Sequence, residues 1–383
     1  MTSPHGAEGS YAMRVRAYSA SHFDFDQHIE VTWPDASAIF VSEYTGGEDN
    51  RLYPITIHGE IRGMCESLED AERRLSNAIA GVYPILALAG NAAVADPLAL
   101  ASYGLDISSP QPAIFYQTPV ATRWFPPGGR RFDLEATFAL ICAIGQHPQS
   151  ALLLRAVESY RRALGHWIPE QRLMAGEFLF VAAETLSRFL IESRAAVRGI
   201  TPNNLARLHN TNPHVLRSRF LLDDVFGGNQ PAMDAMNAAS NGFEHGYMSV
   251  DDVRGLMESA LEDSMQLVRR ALIESSGLAS EMSSRLLVED YDEPRGLVPA
   301  IQFARGQIEA TDPAHPPAIE MGAIDLEWSE TSITPKLRAD GSVDLSMGAT
   351  MTAVSIPDGL KIDISGYGIR AANVVAKNDN SKA

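Results

Sequence analysis

Residues 169–194 have the sequence PEQRLMAGEFLFVAAETLSRFLIESR. Apolar side chains recur there on more than one side of a 3.6-residue period, and a helix that is apolar on most sides is buried in its fold. Pro169 suits a first helical turn, where the missing N–H costs nothing. The stretch therefore predicts a buried helix at the centre of a helical bundle.

The sequence on both sides of this helix, from Asp133 to about Ser276, also has the pattern of helices. Thr201-Pro202 is typical of an N-cap followed by the first helical residue, and Ser249 with Asp252 forms a capping box. Behind Ser249 an apolar stripe from Val253 to Leu272 follows the helical period. These patterns predict a bundle whose last long helix begins at Ser249.

Before the bundle, short runs between Met13 and Ile61 alternate apolar and polar residues, which is the pattern of half-buried strands. At Ser67 the period changes to three and four residues, with Asp70 completing a capping-box-like start. We expect a β-rich region followed by one long helix from Ser67 to Ala89.

Beyond Pro294 three alternating runs return, at residues 324–328, 343–347 and 360–364. Asp340-Gly341 and Asp358-Gly359 predict tight turns, because glycine tolerates the positive φ that such turns require. The pattern predicts a C-terminal antiparallel β-meander with a disordered tail. Spacing leaves open whether these strands complete the N-terminal sheet.

The predicted fold class is therefore α+β. The expected division is an N-terminal α+β region (residues 1–130), a helical bundle (131–290) and a C-terminal β region (291–383).

Composition restricts the class of protein. The chain has 383 residues, 45% of them hydrophobic and 21% charged, with no apolar run long enough to cross a bilayer. Met1 to Ser10 lacks the features of a secretory signal, so we expect a cytoplasmic protein without a membrane partner. Cys65 and Cys142 lie far apart and favour neither a disulfide nor a thiolate metal site.

The net charge of −17 opposes general attraction to nucleic acid. Its distribution is uneven, since no acidic residue lies between Glu192 and Asp223. The arginines of this segment are the candidate RNA-binding residues: Arg194, Arg198, Arg207, Arg217 and Arg219. The alternative is that they are solvated arginines near helix ends, where cations offset the helix dipole. A second cluster, Arg123, Arg130 and Arg131, predicts a contact loop or a linker.

A catalytic candidate lies at residues 239–246, with the sequence ASNGFEHG. It resembles a degraded form of the Arg, four to six residues, His motif of the HEPN superfamily, whose members process or bind RNA. Ser240 stands at the arginine position, Asn241 matches the polar residue after it, and His245 matches the histidine. The alternative is a turn at Asn241-Gly242 and His245-Gly246 with a helix-capping histidine.

The resemblance implies a mechanism and an assembly. In such nucleases His245 would be the acid or base and an arginine would stabilise the phosphorane charge, without a metal ion, in a site shared by two subunits. It therefore implies a homodimer. Ser240 cannot replace a guanidinium, which offers two charged donors; Arg207, Arg217 and Arg219 are the nearest substitutes.

Three wider segments resemble the Apea-like branch of that superfamily: Ser67–Ala92, Tyr160–Glu184 and Ala239–Leu272. They imply a HEPN-like bundle and a role in bacterial anti-phage defence or stress response. Two literal matches to the spacing occur elsewhere, at Arg161 with His166 and at Arg207 with His214.

Motifs for other chemistries are absent: the sequence has no phosphate loop, zinc helix, nucleophile elbow or dinucleotide fingerprint. The carboxylate pairs Asp24/Asp26 and Asp325/Glu327 are better explained as solvated strand faces than as metal ligands. We expect no metal and no cofactor. The leading hypothesis is an RNA-associated protein whose enzymatic activity, if present, is that of a metal-independent endoribonuclease. The alternative is a non-catalytic module for dimerisation or for binding a protein partner.

Overall fold

A computed structural model describes residues 9–46, 52–104, 115–117, 129–297, 300–315, 325–337, 343–355 and 358–371. The chain combines helices with antiparallel strands, which confirms the α+β class. It divides into two compact units. The first comprises Met1–Glu43, Pro54–Ala121 and Gly128–Leu297, and the second comprises Tyr44–Tyr53, Thr122–Pro127 and Val298–Ala383.

The N-terminal strands confirm the predicted β-rich region. Their bounds are β1 (Gly9–Tyr18), β2 (Ser21–His22), β3 (His28–Trp33), β4 (Ala36–Gly46), β5 (Leu52–Cys65), β6 (Leu98–Gly104), β7 (Phe115–Gln117) and β8 (Arg130–Arg131). Six of them form one sheet in the order β3-β4-β5-β1-β6-β7. β2 and β8 form a short parallel pair.

The alternation in β1 decides which face of the sheet is buried. Met13, Val15 and Ala17 point into the core, while Arg14 is exposed on the other side. The inward face packs against a helix, α1 (Leu68–Ala80), whose start is capped by Ser67 accepting a hydrogen bond from the Asp70 N–H. The predicted capping residue is therefore confirmed.

The single long helix predicted from Ser67 to Ala89 is wrong. The structure has two helices, α1 and α2 (Val82–Gly90), which meet at Gly81. Pro84 lies inside the predicted helix, lacks the N–H that would bond to the carbonyl of Ala80, and clashes with that carbonyl. The chain therefore restarts as a second helix that is buried along its whole length.

The remaining helices form the bundle. Their bounds are α3 (Leu134–Gln146), α4 (Ser150–Gly165), α5 (Arg172–Val197), α6 (Pro202–Leu208), α7 (Pro213–Phe220), α8 (Gln230–His245), α9 (Val250–Ser275) and α10 (Ser280–Leu286). The predicted central helix is α5, preceded by a 3-10 turn at Pro169–Gln171. Ser249 caps α9 as predicted, accepting a hydrogen bond from the Asp252 N–H at 3.1 Å.

The sheet and the bundle share one hydrophobic core. The buried side chains of β1, α2, α5 and α9 belong to the same cluster. Both regions accordingly lie in one compact unit, although the sequence had suggested a division at residue 130. The reason is α2, which is apolar on all sides and is therefore covered both by strands and by helices.

Two buried arginines stabilise the end of α2. Arg269 donates hydrogen bonds to the carbonyls of Leu88 at 3.2 Å and Ala89 at 3.0 Å. Arg130 donates to the carbonyls of Gly90 and Asn91, each at 3.0 Å. The last carbonyls of a helix have no partner within it and carry partial negative charge, so two cations satisfy them here.

The C-terminal part of the second unit has these strands among its described residues: β9 (Ala300–Ala310), β10 (Asp325–Leu337), β11 (Val343–Ser355) and β12 (Leu360–Ala371). β10 pairs with β11 and β9 pairs with β12, both antiparallel. Among the described residues these strands pair only with one another. Gly359 has φ 85°, as the Asp358-Gly359 turn requires, whereas Asp340-Gly341 and the predicted disordered tail (373–383) lie outside the described residues.

No helix in the described ranges is both long and apolar enough to cross a membrane.

Candidate nucleic-acid interface

The basic segment folds as a small helical lobe at the end of α5. We call residues 194–220 the basic lobe; it comprises the last turn of α5 with α6 and α7. A separate hydrophobic cluster holds it together, formed by Ile191, Ala195, Leu205, Ala206, Leu216 and Phe220. The lobe therefore has its own small core beside the main one.

Local sequence explains its two short helices. Thr201 accepts a hydrogen bond from the Asn204 N–H and caps α6, and Asn212 accepts one from the Val215 N–H and caps α7. A proline follows each cap at a position where its missing N–H costs nothing. Between the helices, Asn210 adopts φ 51°, a left-handed conformation that asparagine tolerates better than most residues.

Two of the five predicted arginines are neutralised. Arg194 forms an ion pair with Asp224 and stacks over the Phe220 ring at 4.4 Å. Arg217 lies 3.1 Å from a carboxylate oxygen of Glu184. Both therefore fasten the lobe to the bundle, and their charges are matched within the protein.

The other three arginines are free to meet an external anion. Arg198, Arg207 and Arg219 are exposed, and none of them has an ion pair with a described carboxylate. His209 and His214 are exposed on the same lobe. An uncompensated group of guanidinium ions attracts phosphates and releases their counterions.

The predicted catalytic residues lie on α8. His245 is exposed in the last turn of that helix, and Gly246 ends it with φ 64°. Asn241 donates hydrogen bonds to the backbone and side-chain oxygens of Asn237, at 2.8 and 3.1 Å. The alternative of a turn at Asn241-Gly242 is wrong, since both residues are helical, whereas His245-Gly246 does end the helix.

Ser240, at the motif's arginine position, faces the interior. It is 4% exposed and donates a hydrogen bond to Glu177 Oε2 at 2.9 Å. The other carboxylate oxygen of Glu177 is buried without a hydrogen-bond partner among the described residues. Burial raises the pKa of Glu177, the Ser240 hydrogen bond lowers it, and the charge of Glu244 raises it further.

The structure separates His245 from the basic lobe. α8 begins just after Asp224, which pairs with Arg194, and runs back along α5 to the contact between Ser240 and Glu177. Glu177 and Arg194 are seventeen residues apart on α5, about 25 Å at 1.5 Å per residue. Within one chain, Arg194 therefore lies towards the other end of α5 from the Ser240 contact, whereas Arg217 pairs with Glu184 near the middle of that helix.

The two literal spacing matches differ in their surroundings. Arg161 is buried, donating to Glu158, Asp96 and the Val94 carbonyl, so its guanidinium is fully occupied by the protein. Arg207 and His214 are both exposed and flank the turn between α6 and α7.

Sequence reasoning missed the carboxylates that pair with two of the five predicted arginines. Asp224 and Glu184 lie outside the acid-free segment, and only folding brings them to Arg194 and Arg217. It also missed Glu177 as the partner of Ser240, because α5 carries three glutamates and the sequence does not show which of them is buried.

The second basic cluster does not form a contact loop in its described part. Arg130 is buried against α2, and Arg131 pairs with Asp24 at 3.2 Å. Arg123 lies outside the described residues. Arg130 and Arg131 therefore serve the protein's own structure.

In the part of the chain that the structure covers, no group of His, Cys, Asp or Glu side chains is arranged to hold a metal ion. Comparison with protein-family models, curated proteins and solved structures found no match to this chain.

Proposed function

We propose that this chain is a HEPN-like, RNA-associated protein that contacts single-stranded RNA through the basic lobe. The observation that carries the proposal is the uncompensated charge of Arg198, Arg207 and Arg219 on a protein of net charge −17. Such an arrangement confines phosphate binding to one surface, because the rest of the molecule repels a polyanion.

Binding in this proposal does not depend on His245. The motif's arginine position is filled by a buried serine, and a neutral hydroxyl lacks the charge that stabilises a phosphorane. An endoribonuclease site at His245 would need an arginine from a second subunit. The proposed role in anti-phage defence or stress response rests on the sequence resemblance.

The test is an RNA-binding titration at several salt concentrations, followed by fluorescence anisotropy. The variant Arg198→Gln with Arg207→Gln is compared with Arg155→Gln with Arg270→Gln, two exposed arginines elsewhere that make no ion pair with a described residue. We expect the slope of log K against log salt to fall by about 1.4 in the first variant, because each phosphate contact on a single strand contributes about 0.7.

The control pair should keep the wild-type slope. Equal losses in the two variants, or no RNA binding at low salt, would contradict the proposal. Cleavage is measured on the same RNA with a chelator present. Cleavage by wild type that disappears in His245→Ala would assign catalysis to His245 and overturn the binding-only role.

One observation favours a second candidate, a dimerisation or protein-interaction module. Phe243, Tyr247 and Val250 are exposed around the connection between α8 and α9, next to His245. Exposed apolar groups of this size are typical of interfaces. Sedimentation of wild type and Tyr247→Asp tests it: a dimer that dissociates in the variant supports the module, and a wild-type monomer excludes a homodimer at that concentration.

A further inference from the structure

Among the described residues, β3 is a free edge of the six-stranded sheet. It pairs with β4 on one side and is the terminal strand in the sheet order. Its outward N–H and C=O groups make no hydrogen bond with another described residue. Its sequence, HIEVTW, contains no proline or lysine, which are among the devices that protect an edge from pairing with another chain, and Glu30 is its one charged residue.

The first residues of β3, His28 to Glu30, line a cleft. The cleft has a volume of about 700 Å³ and is bounded on one side by residues 27–30, at the start of β3. The opposite wall is the first two turns of α3, where Leu134 and Phe138 supply apolar surface. Phe138 is 43% exposed, although it is a large aromatic side chain.

The charges around the cleft are not balanced. Arg285 is fully engaged by Asp133 at 2.7 and 2.9 Å and by Glu135 at 2.6 Å. Arg131 is paired with Asp24. Glu30 lines the cleft and makes no ion pair with a described cation. Three carboxylates that line the cleft, those of Glu30, Asp133 and Glu135, therefore face two guanidinium groups, and the cleft favours a cation.

An extended peptide matches the free backbone groups of β3, the apolar surface on α3 and the excess negative charge of the cleft. Its backbone would pair with the free groups of β3, and its side chains would alternate between the two faces of the sheet. One set of side chains would lie against Phe138 and Leu134, and the other would lie near Glu30. A chain with alternating apolar and basic residues therefore complements this surface.

We propose that the cleft beside β3 binds an extended segment of a partner protein, with alternating apolar and basic residues, as an added strand of the sheet. The site is built from the sheet edge, α3 and α10, and it uses none of the arginines of the basic lobe. Protein binding there is independent of RNA binding.

The probe is a fluorescein-labelled nonapeptide of alternating valine and lysine, titrated with the full-length protein and followed by anisotropy. We expect saturable binding by wild type and none by a peptide of alternating valine and glutamate. A valine–lysine peptide that is N-methylated at every second residue keeps its charge but loses backbone donors. It should bind at least about tenfold more weakly.

Two protein variants locate the site. Glu30→Lys and Phe138→Asp change exposed side chains, so both should fold, which circular dichroism verifies, and each should weaken binding at least about tenfold. Glu274→Lys changes an exposed acid on α9 by the same charge and should bind as wild type does. Hydrogen exchange gives a direct measure: amides of residues 28–33 should become protected when the peptide is added.

Three results would overturn the proposal: no saturable binding at millimolar peptide, equal binding of the N-methylated peptide, or an unchanged affinity in Glu30→Lys. Equal binding of the N-methylated peptide would mean that charge alone holds the peptide. Arg198→Gln with Arg207→Gln should lose RNA affinity and still bind the valine–lysine peptide as wild type does. The two proposals can therefore be contradicted separately.

Discussion

The Ser240 hydroxyl donates a hydrogen bond to the Glu177 carboxylate across 2.9 Å, inside the helical bundle. The contact joins the end of α8 to the beginning of α5. It places the residue at the motif's arginine position in the core, away from any phosphate in solvent. The same contact leaves one oxygen of a buried carboxylate without a hydrogen-bond partner among the described residues, and this has a measurable cost.

Replacing Glu177 with glutamine should stabilise the protein at neutral pH. The pKa of Glu177 is raised in the folded state, so its contribution to stability is present at acidic pH and is lost as pH rises through the folded-state pKa. We expect Glu177→Gln to raise the free energy of unfolding by about 1 kcal/mol at pH 8. At pH 4 the two proteins should be nearly equal.

Urea denaturation at both pH values measures the difference. Glu274→Gln, an exposed acid on α9, is the control and should show no such pH dependence. A Glu177→Gln variant that is less stable than wild type at pH 8 would mean that the carboxylate is better solvated than its burial indicates.

Arg269 should be essential to the fold, although it forms no ion pair with a carboxylate of the described residues. It is 2% exposed and donates hydrogen bonds to the Leu88, Ala89 and Leu286 carbonyls. Arg269→Met leaves these acceptors without a donor, and each such loss costs about 1–3 kcal/mol. We expect a loss of about 3 kcal/mol in denaturant unfolding. Its exposed neighbour provides the control, since Arg270→Met should change stability by less than about 0.5 kcal/mol.

Glu43 should contribute to acid sensitivity. Its Oε2 lies 3.0 Å from His58 Nε2 and accepts a hydrogen bond from Thr56 at 2.7 Å, and its Oε1 accepts one from Arg16 at 3.2 Å. The contact with His58 is the main cause that lowers the pKa of Glu43 from 4.5 to about 2. Its stabilisation is therefore present above pH 4.5 and is lost as pH falls towards 2.

Glu43→Gln should accordingly be less stable than wild type at pH 7, and the difference should shrink between pH 4.5 and pH 2. The free energy of unfolding is measured across this range. A difference that is constant with pH would show that the lost contribution is one of packing and not of charge.

Leu205 should stabilise the basic lobe and not the main core. It is fully buried in the lobe's own cluster, so Leu205→Ala removes packing there without touching the main core. Such a truncation costs about 2–5 kcal/mol where the site cannot collapse. We expect hydrogen exchange of residues 202–220 to accelerate and RNA affinity to fall, while exchange in α9 stays unchanged. Faster exchange throughout the bundle would mean that the lobe does not open independently.

The local sequence was a good guide to elements with strong periodicity and capping. α5, α9 and the caps at Ser67, Thr201 and Ser249 could be predicted because hydrogen bonds within one turn specify them. The break at Gly81 could have been predicted too, since Pro84 forbids the bond that a continuous helix needs. The helical spacing of the apolar residues from Leu68 to Leu86 continues across Gly81 and by itself predicts one helix.

The candidate site was predictable only in outline. The absence of acids from residue 193 to 222 is visible in the sequence, and it does locate the basic lobe. Which arginines remain uncompensated is not visible, because Arg194 and Arg217 meet acids that lie thirty and thirty-three residues away. Pairing over such separations depends on how helices pack.

The sequence by itself determined the α+β class, the capped helices and the location of the excess positive charge. These follow from side-chain periodicity and from contacts within a few residues. Only the tertiary structure decided that Ser240 is buried against Glu177, that Arg194 and Arg217 pair with acids of distant segments, and that β3 is the terminal strand of the described sheet beside a cleft. Each of these depends on which distant segments bury their apolar faces against one another, because that packing alone fixes which polar groups keep a partner and which remain free.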